Sequence, residues 1–524
     1  MKKQSLIKGT LILGAAGVLS RFLGLFFRWP LMMLIGDEGM GYYQMSYPLY
    51  MFYVAIASGL PVAISKLVAE KNALGDKYGS NEVLKKALLL MLTMGTVFSI
   101  LLVIFSKDII QLLKWDKKSY YSLIGIALGP LFISFLCSFR GYFQGHQNMT
   151  PTAISELIEQ VGRVTFGVGL AYLLLPKGIE YSAGGAALGA SIGAIFGSIY
   201  LMVKYVHYNR ESTKEHKFKE IGCARLKDKA SQGVLTRLVA IAIPISLGAT
   251  VSTIMSLMDS FLVPQRLLSA GFTHAQAAVL YGQLTGKAFV LINIPLTLSI
   301  ALCASLVPSI AESFILKRKL ELIRKVEAAF KFSAVIAFPS FLGLFFMAEP
   351  ILNLLFPGRS DGALILKYLA ISIPFIVAAQ MTTAILQGSG IYLLPVINLL
   401  LGCITKIIIT NLLVPIPSIN IYGAIIGTIV GYVLASVLNI ILVKKKMNIS
   451  INYYNTVIKP AYASVLMIIA VIFVFSKLYS YNLSIKVACI ISITIGILVY
   501  TLFIIVFGVF KYSYIKDKLK SKAK

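Results

Sequence analysis

With 524 residues, 58% of them hydrophobic and 13% charged, and a mean hydropathy of +0.83, the chain is too apolar for a soluble globular protein and reads as an integral membrane protein. Its net charge of +28 suggests nucleic acid at first sight, but the 49 Lys and Arg follow a topological pattern instead. If the apolar segments cross a bilayer in turn, 33 of these cations fall in or beside the segments on one side, 10 on the other and six within spans. That bias places both termini in the cytoplasm, where the basic face meets anionic lipid.

Windows of about 20 apolar residues give fourteen candidate spans. They lie near residues 9–35, 43–65, 84–106, 119–143, 153–175, 183–206, 236–263, 279–311, 328–348, 363–387, 391–414, 421–443, 457–477 and 484–510. The first is no cleavable signal, because Arg21 and Arg28 interrupt it and no small-residue cleavage site follows. The expected fold is an all-α polytopic membrane protein. Five scattered cysteines (137, 223, 303, 403 and 489) show no metal or pairing spacing. The four histidines (146, 207, 216 and 274) fall in loops or at span ends, so no metal, cofactor or catalytic centre is expected.

The chain repeats itself. Span 6 carries Gly185, Gly189, Gly193 and Gly197, and span 12 carries Gly423, Gly427, Gly431 and then Ala435, at an offset of 238. Small residues every fourth position let membrane helices approach closely. Gln144-Gly145, Pro151 and Arg163 recur as Gln387-Gly388, Pro395 and Lys406, at offsets of 243 to 244. Arg21 and Arg28 precede Asp259 and Arg266 by 238. An even number of spans per repeat makes the halves parallel, so two six-helix lobes related by a pseudo-twofold along the membrane normal are expected, with two further C-terminal helices. The boundaries drawn are 1–206 for the first lobe, 207–235 for a cytoplasmic linker, 236–443 for the second lobe, and 444–524 for spans 13 and 14 with a basic cytoplasmic tail.

Charges inside spans cost about 2.5–3.5 kcal/mol each on insertion scales and so face partners, water or cargo. Arg21 and Arg28, seven residues apart on one face of span 1, and Lys287 in span 8 are the candidate cargo-binding cations of a central cavity. The plainer alternatives pair Arg21 with Asp259 and let Arg28 reach the outer surface beside Asp37 and Glu38. In span 5, Glu156, Glu159 and Arg163 share a face, with Glu159 to Arg163 in the favourable i,i+4 order. These three, with Asp259 and Lys406, are candidates for internal ion pairs or for proton or cation coupling. Arg140 is expected to meet one of the two glutamates or to face the cytoplasm. The helix-interior cations outnumber the acids at comparable depth, which favours an anionic cargo. Phosphate suits the planar guanidinium fork.

Several stretches together carry a resemblance. Ser20-Arg21-x-x-Gly24 with Arg28, Gly36-Asp37-Glu38-Gly39-x-Gly41, Gly59-Leu60-Pro61-Val62-Ala63-Ile64-Ser65-Lys66, Arg140-Gly141-Tyr142-Phe143-Gln144-Gly145, and Gln147-Asn148-Met149-x-Pro151 followed by Glu159-Gln160 resemble the stage V sporulation protein B family. That family is related to the lipid II flippase MurJ and lies in the multidrug/oligosaccharidyl-lipid/polysaccharide (MOP) superfamily.

The resemblance implies a two-lobed, V-shaped transporter, not an enzyme. It would flip an undecaprenyl-diphosphate-linked cell-wall precursor outward by alternating access, in peptidoglycan or spore-cortex synthesis. Coupling would be to the membrane potential or a monovalent ion. Its partners would be the lipid-diphosphate-linked sugar, membrane lipids and cell-wall synthesis enzymes, with no nucleic acid. In MurJ relatives arginines of helices 1, 2 and 8 line the cavity. Here Arg21 matches the first, Arg28 falls one position later, span 2 has none, and span 8 offers Lys287. The competing readings are an exporter of another lipid-linked polysaccharide unit, a drug/cation antiporter, which would want carboxylates in the cavity, and a scaffold for cell-wall enzymes.

Overall fold

The computed structural model describes residues 6–216, 233–447 and 452–509, and every regular element among them is helical. Most of the linker and the basic tail lie outside the described residues. The chain opens with α1 (Leu6–Ala57), whose helical path breaks at Gly36, where φ 67° and ψ −169° lie outside the helical region. Only glycine adopts that conformation without strain, so this residue divides α1 into arms of residues 6–35 and 37–57. The following helices are α2 (Gly59–Ala73), α3 (Lys77–Ile104), α4 (Ser106–Leu112), α5 (Tyr120–Ala127), α6 (Gly129–Gly145), α7 (Thr150–Leu174), α8 (Ile179–His216), α9 (Val234–Ser269) and α10 (His274–Gly282). A π-helical turn, Gln283–Ala288, leads to α11 (Phe289–Ile315), α12 (Lys319–Phe346), α13 (Ala348–Leu355), α14 (Ala363–Ala370), α15 (Ile373–Gly388), α16 (Leu393–Leu413), α17 (Tyr422–Met447), α18 (Lys459–Ser480) and α19 (Ile485–Val506).

Among the described residues, eleven helices are long and apolar enough to cross a membrane, or twelve if the bent pair α14 and α15 counts as one span. One of them, residues 12–73, runs for 62 residues. At about 1.5 Å per residue that is about three times a hydrocarbon core, so the break at Gly36 separates two crossings. With those two crossings counted apart and the 36-residue α9 added, the set is consistent with fourteen spans.

Packing groups the chain into two compact units, Met1–Leu268 with Phe272–Gly282, and Ser269–Gly271 with Gln283–Lys524. The first holds α1 to α10. Its core packs Tyr53, Leu60, Ile64, Val83, Met91, Phe139, Phe143 and Leu238, all buried. Its tightest seam joins α7 to α8, where a Cβ added at Gly193 would collide with the Glu159 carbonyl oxygen and stand 2.9 Å from Arg163 N. The second unit has its own core of Ile310, Val326, Phe330, Ile385, Leu386 and Val443. Its corresponding seam joins α16 to α17, where a Cβ on Gly431 would sit 2.6 Å from the Gly402 carbonyl oxygen and 3.3 Å from Lys406 Cβ. The two seams therefore use the same residues in register, since Glu159 and Arg163 become Gly402 and Lys406 at an offset of 243. The repeat seen in the sequence is also a repeat of packing within each unit. α18 and α19 pack on α12 and α13 through Met347, Met467, Ile468, Val471 and Cys489.

Candidate functional site

The site is built where α1 meets α7. Tyr43, Tyr47 and Tyr50 follow the Gly36 break at i, i+4 and i+7, so they line one face of the second arm. Tyr43 and Tyr47 stack with ring centroids 5.4 Å apart and planes at 21°, and Tyr50 follows at 6.0 Å. Phe27, on the first arm, packs 6.1 Å from Tyr43. Arg163 of α7 enters this aromatic wall. Its guanidinium carbon lies 5.2 Å from the Phe27 ring and 5.0 Å from the Tyr47 ring, and Nη2 donates to the Tyr43 hydroxyl at 2.8 Å. Contacts of this kind stabilise a cation by about 0.5–2 kcal/mol each and leave its charge in place. The Arg163 Nε is buried without a hydrogen-bond partner among the described residues. Arg28, next to Phe27 in sequence, is within electrostatic reach of Tyr43, Tyr47 and Arg163. Two guanidinium groups and three tyrosines thus form one cluster of the first unit.

Glu159, one turn before Arg163, is within electrostatic reach of Tyr47 and Tyr50. The i,i+4 pair expected between Glu159 and Arg163 is not formed, and this is a correction. Arg140, from α6, takes Glu159 instead, with Nη2 to Oε2 at 2.8 Å, while its Nε donates to Ser155 Oγ at 2.9 Å. Glu156 is half-buried and within electrostatic reach of the same Arg140. The reason is geometric. The aromatic wall draws Arg163 toward α1, and α6 presents Arg140 where Glu159 points. The expectation that Arg140 meets one of the glutamates holds.

The remaining candidates are scattered. The side chain of Arg21 lies outside the described residues, as does any pairing with Asp259. Asp259 is 5% exposed in α9 of the first unit and lies within electrostatic reach of Tyr281. Lys287, in the second unit, has no exposed surface, and its ammonium donates to the carbonyl oxygens of Arg359 and Asp361 at 2.9 and 3.0 Å. It clamps the loop before α14. Lys406 is 3% exposed and runs along Gly427 and Gly431, as Arg163 runs along Gly193. Of the candidates, the structure brings together Arg28 with Arg163, and Glu156 with Glu159. Sequence reasoning missed Tyr43, Tyr47 and Tyr50, although their 4–3 spacing just beyond a glycine break was there to be read.

Long apolar helices with charged side chains among them define a polytopic membrane protein in class. Residues 6–314 match the family described as polysaccharide biosynthesis protein, and the chain belongs to that family. It is 31% identical over 456 residues to stage V sporulation protein B of Bacillus subtilis (strain 168), covering 86% of each chain. It is 25% identical over 459 residues to the lipid II flippase MurJ of the same organism, covering 84% of this chain and 82% of that one. Among solved structures, the lipid II flippase MurJ in an inward closed conformation superposes with a TM-score of 0.71 at 16% identity, covering 94% of this chain and 98% of that one. The fold is shared with an inward-facing multidrug resistance MATE family transporter of the MOP superfamily, which superposes with a TM-score of 0.68 at 16% identity, covering 82% of this chain and 94% of that one.

Proposed function

We propose that this protein is a flippase for a lipid-linked cell-wall precursor, carrying an undecaprenyl-diphosphate-linked sugar from the inner to the outer leaflet. The observation that carries the reading is the half-buried pair Arg28 and Arg163. Neither has a carboxylate within ion-pair distance among the described residues, in a chain related along most of its length to a lipid II flippase. Surplus positive charge within the spans favours an anionic passenger over a cationic drug. The reading further takes 1–206 and 236–443 as the two moving lobes, with 207–235 as their cytoplasmic linker, both termini in the cytoplasm, cell-wall enzymes as neighbours and no cofactor.

A passenger carrying about two negative charges gains roughly 2 × 2.3 kcal/mol from an inside-negative potential of 100 mV when it moves outward. The potential alone can therefore drive export, with a monovalent ion as the other candidate for coupling. The match to the polysaccharide biosynthesis family supports a second reading, export of a different lipid-linked polysaccharide unit.

Depletion of the protein followed by analysis of inner-leaflet lipids tests both. Build-up of a peptidoglycan precursor supports the first, and build-up of another lipid-linked glycan supports the second. Unchanged pools, with no flipping by the reconstituted protein, refute both and leave a scaffold role. A spore-cortex role predicts that the build-up appears during sporulation.

A further inference from the structure

Among the described spans, α7 buries the smallest share of its most apolar stretch against protein. The face it leaves uncovered is grooved. Ile154, Leu157, Ile158, Val161 and Phe166 recur at helical spacing along one side of α7 and, with Phe196 of α8, line a cavity of about 350 Å³. Gly162 is its floor, where an added Cβ would stand 3.1 Å from Gly193 Cα and 3.7 Å from the Phe196 ring. Phe166 and Phe196 stack at 5.1 Å across its outer end. Thr165 brings one hydroxyl to the lining. Ile154, Val161, Phe166 and Phe196 all keep exposed surface, so the groove is open along its length.

Size decides what can enter. From Ile154 to Phe166 the groove runs about 18 Å, at about 1.5 Å per residue. That is about one leaflet of a hydrocarbon core roughly 30 Å thick. Its volume over that length makes a channel only about 5 Å across, whereas a helix with its side chains measures about 10–12 Å. A partner's span or a second copy cannot seat in it, and its footprint is far below the roughly 800 Å² per side of a stable protein interface. A single alkyl chain fits both dimensions.

Apolarity selects no particular lipid, because lipid tails are as apolar as the lining. Charge at the mouth does. Gly193 faces the Glu159 carbonyl and Gly197 the Ser155 carbonyl, so α8 runs antiparallel to α7 in a fixed register. Lys204, seven residues past Gly197, stays on that face of α8 and comes level with the first turn of α7, just beyond Ile154. It is exposed, with its ammonium 6.0 Å from the centre of the Tyr200 ring. The carboxylates in that half of α7, Glu156 and Glu159, already have Arg140 within reach.

We propose that the groove between α7 and α8 holds one acyl chain of an anionic phospholipid of the inner leaflet, with its phosphate at Lys204. That this end is the cytoplasmic one rests on the topology proposed for the chain, and the site is independent of what the protein carries. The bound chain covers the seam at Gly162 and Gly193, beside the backbone of Glu159 and Arg163.

Phe166→Trp places a fluorescent reporter at the outer end of the groove in the full chain, and Ile469→Trp, on the exposed face of α18, reports the surrounding lipid. Each is reconstituted in nanodiscs of phosphatidylcholine with increasing phosphatidylglycerol, one lipid at a time brominated near its chain end. Quenching is read against wild type, which supplies the background of Trp29 and Trp115. At Phe166→Trp, phosphatidylglycerol is expected to outcompete phosphatidylcholine about fivefold, the contribution of one lysine near an anionic surface. Adding Lys204→Gln should remove that preference, and adding Val161→Phe, which narrows the channel, should lower quenching by both lipids. Ile469→Trp should respond to neither substitution.

Equal competition by the two lipids at Phe166→Trp, or a preference indifferent to Lys204, overturns the site. So does a reporter shielded from both brominated lipids, because protein then covers the groove. Stronger competition by undecaprenyl phosphate than by phosphatidylglycerol gives the groove to a polyprenyl tail and overturns the phospholipid site as well. If Phe166→Trp does not fold, mass spectrometry of the phosphatidylglycerol retained by wild type and Lys204→Gln replaces the reporter, and equal retention overturns the site.

Discussion

Replacing Gly193 by alanine puts a methyl group against the Glu159 carbonyl oxygen, with Arg163 N at 2.9 Å and Arg163 Cβ at 3.3 Å. The obstacle is backbone of α7 and cannot rotate away, so α7 and α8 must separate. Overpacking of this kind costs about 1–3 kcal/mol. Alanine also gains up to about 1 kcal/mol over glycine in helix propensity, which would blur the measurement in a single variant. Gly169, a helix-interior glycine of α7, supplies the control, since nothing lies within 4 Å of its added Cβ. The difference between Gly193→Ala and Gly169→Ala cancels the propensity gain and should be about 1–3 kcal/mol, read by reversible denaturant unfolding in mixed micelles. Because the displaced segment carries Arg163, Gly193→Ala should also slow transport while Gly169→Ala does not. Equal stability of the two variants would refute the close-packed seam. Gly431→Ala, facing the Gly402 carbonyl oxygen at 2.6 Å, should repeat the loss in the second unit.

Arg140→Met leaves Glu159 buried without its counter-charge and should cost about 3–5 kcal/mol, whereas the double variant Arg140→Met/Glu159→Met should recover most of that in a double-mutant cycle. Lys287→Met strands the carbonyl oxygens of Arg359 and Asp361, so a loss of about 1–3 kcal/mol and faster proteolysis between 356 and 362 are expected. His146, beyond the end of α6, accepts at Nδ1 from Asn72 Nδ2 at 3.0 Å between the rings of Tyr142 and Tyr208, and burial pushes its imidazole down to about 4. Its folded pKa lies below the unfolded value of about 6.5, so its contribution is complete above pH 6.5 and is lost as pH falls toward 4. At pH 5 the loss should reach at most about 2 kcal/mol, and His146→Gln should flatten that part of the stability profile.

Much of this architecture was legible because a bilayer enforces it. A span needs about 20 apolar residues whatever its neighbours are, so hydropathy finds helices without knowing how they pack. The glycine ladders were legible for a related reason. Helices in lipid gain from close approach, and a small residue every fourth position is the direct record of a seam. The register of Gly193 on Arg163 and of Gly431 on Lys406 then follows from the repeat itself.

Charge partners are another matter. Spacing along one helix says which side chains share a face, and on that basis Glu159 belongs to Arg163. Which of two arginines a buried carboxylate takes depends on the distance to other helices, and α6 reaches Glu159 from the side that Arg163 has left. What draws Arg163 away is a set of tyrosines 113 to 120 residues earlier in the chain, which no local pattern connects to it. The aromatic residues were therefore the missing information. Without them Arg163 looks like half of a structural ion pair. With them it is a cation held in place by aromatic rings and a hydroxyl that leave its charge uncancelled, and charges of that kind within a span mark functional sites by default.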